Sequence, residues 1–212
     1  MMWLTSMSNN AASVVVLDFE TTGLSPGNGD RTIEIGAVKV DNGHITDRFQ
    51  SLMNPGKRVS GFIESYTGIS NKMLAKAPPC KEVMLEFSDF IRGYDLVAHN
   101  ASFDKRFLDA ELKRIRCTYS GEFACSMLAA RRLYPAARNH KLETLVRLNR
   151  ITVSGDFHRA LSDAEMTAGL WLSMLSKISR QFGRAHIPFS VMQKLSRTPK
   201  LSVAAFLNNA LA

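Results

Sequence analysis

Val14-Val-Val-Leu-Asp18-Phe-Glu20-Thr-Thr22-Gly-Leu24 is the stretch on which the rest of the chain turns. Its first half is apolar and β-branched, the composition of a strand buried on both faces. Two carboxylates then arrive two residues apart. Alternate strand residues point to one side, so Asp18 and Glu20 project together from the strand's end. Neighbouring carboxylates repel, and burial beside an apolar strand disfavours their charged forms. A divalent cation relieves both problems, and hard carboxylate oxygens suit Mg²⁺ or Mn²⁺. The same pair also fits an ordinary solvated strand end, so the rest of the chain has to decide.

The chain has 212 residues, enough for one domain with a substantial core and a short extension. A formal net charge of +8 suits an anionic partner. Acids placed for metal inside a basic chain is a nuclease-like balance. Cys80, Cys117 and Cys125 form no C-x-x-C pair and read as free thiols in a reducing, cytoplasmic compartment. The first ten residues lack the basic and apolar regions of a signal peptide. No apolar run approaches a membrane span, so no membrane partner is expected.

In chain order, residues 1–12 read as a frayed segment, followed by a strand at about 13–21. Gly27-Asn-Gly29 is followed by the strand-like Thr32-Ile-Glu-Ile-Gly-Ala-Val-Lys-Val40, so no helix N-terminus stands ready for a nucleotide phosphate. Asp41-Asn-Gly43 signals a hairpin turn into a return strand over 44–53. Short helices are expected at 62–66 and 70–75. A longer one spans 80–92, with Val83, Phe87, Phe90 and Ile91 as its apolar stripe. Asp95-Leu-Val-Ala-His99 is a short strand, and Asn100 is a good N-cap for a helix over 101–115. An edge strand at 122–125, helices at 126–133 and 141–148, and a core helix at 160–179 complete a mixed α/β sheet.

Two further acids and a histidine sit at the starts of elements. Asp104 falls in the first turn of its helix, and Asp163 near the start of the last core helix. His158 precedes Asp163 by five residues, about 500° of helix, so the two do not share a face. His158 belongs on the incoming loop. Taken singly, these are ordinary helix-dipole acids and a loop histidine. Taken together, four acids and one histidine at element ends can converge.

Three stretches, in order, resemble the motifs of the DEDDh 3′→5′ exonucleases. This DnaQ-like family includes the DNA polymerase III epsilon (proofreading) subunit and the polymerase C exonuclease domain. Asp18-Phe-Glu20-Thr-Thr-Gly-Leu24, with Ile33-Glu-Ile-Gly-Ala37 after it, resembles the first. Val97-Ala-His-Asn100-Ala-Ser-Phe103-Asp104 resembles the second, and His158-Arg-Ala-Leu-Ser-Asp163 the third in its histidine form. Lys141-Leu-Glu-Thr-Leu145 resembles the segment before that motif. Thr67 stands where many relatives carry histidine, which leaves the subfamily open.

The resemblance implies an RNase H-like, mixed five-stranded sheet flanked by helices over residues 13–179. It implies two divalent cations, Mg²⁺ or Mn²⁺. Asp18, Glu20 and Asp163 would hold the ion that activates water. Asp18, supported by Asp104, would hold the second, and His158 would be the general base. Thr21, Thr22, Leu24, His99, Asn100 and Phe103 match positions that receive the terminal nucleotide. The implied reaction removes nucleoside 5′-monophosphates from DNA 3′ ends in proofreading or repair, with single-stranded ends as the preferred partner. An RNA-trimming enzyme and a non-catalytic binding or polymerase-docking subunit are the alternatives. Candidate phosphate contacts include Lys105, Arg106, Arg131, Arg138, Lys141 and Arg159. Residues 180–212 carry two short apolar helical patterns, separated by Pro199. They are expected as a helical appendage folded back on the domain and dispensable for the metal site. Docking on a polymerase subunit or on a second copy is the other reading of those patterns.

Overall fold

The computed structural model of the chain describes residues 10–152 and 158–212. Strand β2 (Thr32–Asp41) runs antiparallel to both of its neighbours, β1 (Val14–Thr21) and β3 (His44–Leu52). Asn42 and Gly43 take positive φ at the β2–β3 turn, as the hairpin signal requires. Helix α1 (Gly61–Thr67) and helix α2 (Asn71–Leu74) follow, then α3 (Cys80–Phe90). Strand β4 (Asp95–Ala98) pairs parallel with β1, and β5 (Phe123–Cys125) pairs parallel with β4. Between them lies α4 (Ser102–Arg114); α5 (Ser126–Leu133), α6 (Leu142–Leu148) and α7 (Ala160–Phe182) come after β5. The strand order is β3-β2-β1-β4-β5, with β1 central. None of the described helices is long and apolar enough to cross a membrane.

The alternation along β1 and β2 sorts the core into two layers. Val14, Val16, Val38 and Val40 pack in one cluster with Trp171 and Met174 of α7. Val15, Leu17, Phe19, Ile35 and Ala37 pack in the other with Phe87 of α3 and Phe107 of α4. Asp18 and Glu20 continue the parity of Val14 and Val16, so the α7 face changes from apolar to acidic at the strand's end. Asp18 pairs with Gly36, and Glu20 with Glu34. A Cβ on Gly36 would lie 2.0 Å from the Leu161 backbone nitrogen. Only a residue without a side chain lets the first turn of α7 rest on β2 there, and that contact carries Asp163 to β1.

Two local expectations are corrected. Asn100 is not the cap of α4. The cap position is Ala101, and Asn100 sits at φ 66° with its carbonyl accepting from Phe103 N–H at 3.0 Å. Asparagine suits this spot because it tolerates left-handed backbone, not because its side chain caps. The expected fraying of 1–12 falls largely outside the described residues, but Ala11 is buried. Its N–H donates to Ile187 at 2.9 Å and its carbonyl accepts from Trp171 Nε1 at 2.7 Å. Of the phosphate-contact candidates, Arg159 pairs with Glu34 at 2.8 Å and Lys105 with Asp109 at 2.6 Å, both side chains staying partly exposed.

Helices α8 (Phe189–Arg197) and α9 (Val203–Leu211) close the chain. Phe189, Met192 and Leu195 are buried in the α7-side cluster, with the Phe189 ring 6.1 Å from Trp171. Leu201, one of the expected apolar positions, is fully exposed.

Candidate active site

β1 and β4 pair only from Val14 to Val16, against Asp95 to Val97. Beyond that point the strands part, at the carboxyl end where open α/β sheets hold their ligands. The gap opens into a cleft of about 720 Å³ lined by Asp18, Glu20, Asp104, His158 and Asp163. They arrive from separate parts of the chain. Asp18 and Glu20 come from β1, Asp104 from the first turn of α4, Asp163 from the first turn of α7, and His158 from the residues just before it.

One carboxylate oxygen each from Asp18, Glu20 and Asp163 lie within 4.8 Å of one another. Asp104 faces the same cleft outside that tight group, with Oδ1 accepting from Phe19 N–H at 3.2 Å. That N–H is available because β4 has already parted from β1. Asp163 Oδ2 accepts from His158 N–H at 3.1 Å, whereas its buried Oδ1 has no hydrogen-bond partner among the described residues.

Burial and crowding hold these acids toward their neutral forms. Burial, then Asp104, Asp163, Glu20 and Glu34, raises Asp18 well above the usual aspartate value. Burial, then Asp163 and Glu34, pushes Glu20 up to about 8. Burial raises Asp104 to about 7 and Asp163 to about 6. Four acids so placed, one with an unpartnered buried oxygen, crowd more acceptor oxygens into the cleft than the hydrogen bonds of the described residues satisfy. Hard oxygen donors at this spacing fit a divalent cation.

The substrate-binding candidates divide. Leu24 and Phe103 line the cleft, Leu24 being 77% exposed. Thr21 and Thr22 also line it, but their hydroxyls are engaged, Thr21 with Gly23 O at 2.6 Å and Thr22 with Asp30 at 3.0 Å. His99 borders the cleft with both ring nitrogens occupied, Nδ1 by Ser126 Oγ at 2.9 Å and Nε2 by the His140 carbonyl at 3.0 Å. A carbonyl only accepts, so Nε2 carries the proton and Nδ1 accepts from the serine. Burial brings this imidazole down to about 4. His99 therefore ties β4 to α5 and to the loop before α6. Past His99 and Asn100 the surface continues into a second groove of about 580 Å³, where Arg131 and Lys141 stand.

Sequence reasoning missed two features. Glu34, buried on β2, accepts from Ala160 N–H at 3.2 Å and from Arg159 at 2.8 and 3.2 Å, fastening the segment between His158 and Asp163 to the sheet. Phe62 and Tyr66 of α1 stand exposed on the cleft wall. The available signal was a pair of aromatics four apart on a short helix with polar neighbours.

A central strand carrying two acids, a third acid at a helix start and a histidine before it meet in one cleft of an RNase H-like sheet. The chain belongs to the RNase_T exonuclease family, whose model matches residues 15–171. It is 41% identical over 164 residues to the PolC-type DNA polymerase III of Caldanaerobacter subterraneus subsp. tengcongensis, covering 77% of this chain and 12% of that protein. It is 35% identical over 189 residues to the 3′-5′ exonuclease DinG of Bacillus subtilis, covering 89% of this chain and 20% of that one. The chain thus spans a fifth or less of the length of these curated relatives. Exonuclease X, solved with 5′-overhanging duplex DNA, superposes with a TM-score of 0.68 at 27% identity over 86% of this chain and 99% of that one. The nuclease domain of 3′hExo, a DEDDh family member bound to rAMP, gives 0.68 at 21% identity over 81% of this chain and 95% of that one, a likeness of fold.

Proposed function

We propose that the chain is a metal-dependent 3′→5′ exonuclease that removes nucleoside 5′-monophosphates from DNA 3′ ends, in proofreading or repair. The observation that carries this is the meeting of Asp18, Glu20 and Asp163 oxygens within 4.8 Å inside a cleft that also holds His158. The relatives' printed names favour DNA.

Asp18, Glu20 and Asp163 would hold one cation, and Asp18 with Asp104 would hold the second, either Mg²⁺ or Mn²⁺. Bound cations lower the pKa of the attacking water and stabilise charge on the leaving oxygen. Leu24 and Phe103 receive the terminal base across the cleft. His158 takes the water's proton on its imidazole as the water oxygen bonds to the terminal phosphorus. The P–O3′ bond breaks, the 3′-oxygen gains a proton, and a nucleoside 5′-monophosphate departs. The polymerase subunit and the second copy considered for residues 180–212 remain partners to be sought. With Phe189, Met192, Leu195, Leu207 and Leu211 of the tail inside the same core cluster as α7, a docking partner would meet the exposed remainder, Leu201 included.

The test is hydrolysis of end-labelled single-stranded DNA, duplex DNA and RNA in Mg²⁺, Mn²⁺ or EDTA. DNA shortened from its 3′ end, with release of monophosphates and loss of activity in EDTA, is the expected result. Faster trimming of RNA would reassign the substrate. No cleavage in either metal would overturn the enzyme reading.

A further inference from the structure

Seven large hydrophobic residues are exposed among the described residues, and three of them, Leu24, Phe62 and Tyr66, stand on the one cleft that holds the acids. Phe62 is 73% and Tyr66 50% exposed. Exposed apolar groups collected at a functional opening mark a contact surface rather than chance. Their order is specific. The Phe62 and Tyr66 rings are parallel to within 12°, with centroids 5.9 Å apart. The Tyr66 ring continues to His158, 4.2 Å from the imidazole centroid. A row of rings therefore runs from the cleft wall to the histidine beside Asp163.

Helix α1, which carries this row, is held firmly. Ser60 caps it through Ile63 N–H, and Gly68 ends it in left-handed backbone. Glu64 Oε1 accepts from the backbone and side chain of Asn71, and the Asn71 side chain also bonds both Val59 N–H and Val59 O. Tyr66 is thus presented from a fixed base. His158 is the opposite case. Its φ of 65° is an uncommon, strained backbone state for a residue with a side chain. Its N–H is held by Asp163, but that bond fixes the backbone and leaves the imidazole's direction to side-chain contacts.

We propose that Tyr66 is a positioning residue for His158, its ring setting the imidazole's orientation, and that Phe62 extends this row as a stacking platform for a nucleobase of the substrate strand. The proposal deepens the exonuclease reading and rests on it. Stacking on an aromatic ring tolerates any base, so the platform suits an enzyme that shortens strands regardless of sequence. A base seated on Phe62 would be stacked in line with the ring that orients the base of the reaction.

The test uses the full chain with single-stranded DNA oligonucleotides and Mg²⁺. Tyr66→Ala should lower kcat about 10- to 100-fold, the scale of losses from small misplacements of reacting groups, with KM changed much less. Tyr66→Phe should restore most of kcat, because the ring and not the hydroxyl meets the imidazole. Phe62→Ala should raise KM by about 5- to 150-fold, the stacking worth of one base, and Leu148→Ala, exposed on α6, should change neither. Independently of turnover, the His158 imidazole resonances of the metal-free protein should shift or broaden in Tyr66→Ala and not in Tyr66→Phe. If Tyr66→Ala fails to fold, Tyr66→Leu takes its place with the same expected outcome. A normal kcat in the ringless variant, unmoved His158 resonances, or equal damage in Tyr66→Phe would overturn the positioning role. An unchanged KM in Phe62→Ala would overturn the platform. A natural protein inactive in both metals would sink the exonuclease reading instead, and the resonances would still decide whether Tyr66 orients His158.

Discussion

Asp163 concentrates the tension of the site in one side chain. Its Oδ2 is bonded to His158 N–H, and its Oδ1 is buried without a partner among the described residues. Asp163→Asn keeps the shape and the acceptor while removing one like charge from beside Asp18 and Glu20. In EDTA at pH 8 this variant should melt at a higher temperature than the natural protein, yet show no hydrolysis and little stabilisation by added Mn²⁺. Retained turnover would contradict the ligand role. His158→Ala should lower kcat by roughly 10²–10⁴-fold, the usual worth of a general base, with Mn²⁺ affinity nearly unchanged by calorimetry. An unchanged rate at neutral pH would move the role elsewhere, and His99, with both nitrogens engaged, is poorly placed to assume it. The sequence singled out the four acids and His158 only as a set, through three ordered stretches that resemble a known family, and the fold brings that set into one cleft. Glu34 and Tyr66 could not. A glutamate in a strand and a tyrosine on an amphipathic helix look ordinary until residues about 90 to 125 positions away are laid against them.

The meeting of β2 with α7 decides whether the site exists at all. Gly36 is not a turn residue. It is the place where a helix lies against a strand with no side chain between, and a Cβ there would collide with the Ala160 and Leu161 backbone. Backbone yields less readily than a flexible side chain, so Gly36→Ala should cost about 1–3 kcal/mol or more, read by denaturant unfolding. Because the shift falls on the first turn of α7, activity should drop further than stability alone explains, and Mn²⁺ binding should weaken. A variant with normal stability and normal metal affinity would show that α7 can retreat without disturbing Asp163. The helices and strands were legible from apolar periodicity and turn chemistry, down to the boundaries of α5. What the sequence hid was close approach. Gly36 within Ile33-Glu-Ile-Gly-Ala37 carries no local mark of the helix that touches it, and the side-chain cap assigned to Asn100 is in fact a backbone device.

For the whole molecule, the acidic cluster makes metal-free stability depend on pH in an unusual direction. Glu20, Asp104 and Asp163 titrate at about 8, 7 and 6 when folded, against ordinary values of 4.5 for the glutamate and 3.8 for the aspartates. Between these limits the folded chain binds more protons than the unfolded chain, so stability falls as pH rises. The contribution is fully present below about pH 4 and is lost as pH climbs through about 6, 7 and 8. In EDTA the melting temperature should therefore decline from pH 5 to pH 8. Saturating Mn²⁺ should reverse the trend, because cation binding needs the ionised acids and displaces their protons. A metal-free melting temperature that rises over this range would mean the acids are already ionised at pH 5.

The last strand of the sheet is three residues long, and its outer side is not left open. Gln193 of α8 donates to the Phe123 carbonyl at 3.1 Å, and α8 packs along β5 and α5. The opposite border, β3, presents exposed Asp47 and Arg48, with Arg48 paired to Glu165. A bare strand border is a template on which another polypeptide can add a strand and begin an aggregate; helices that cover it, or charges along it, are the usual defences. Both defences are present here, one at each border. The α8 helix thus guards against templated self-association, and a chain shortened before Phe189 would uncover β5 and invite fibrous growth from that side.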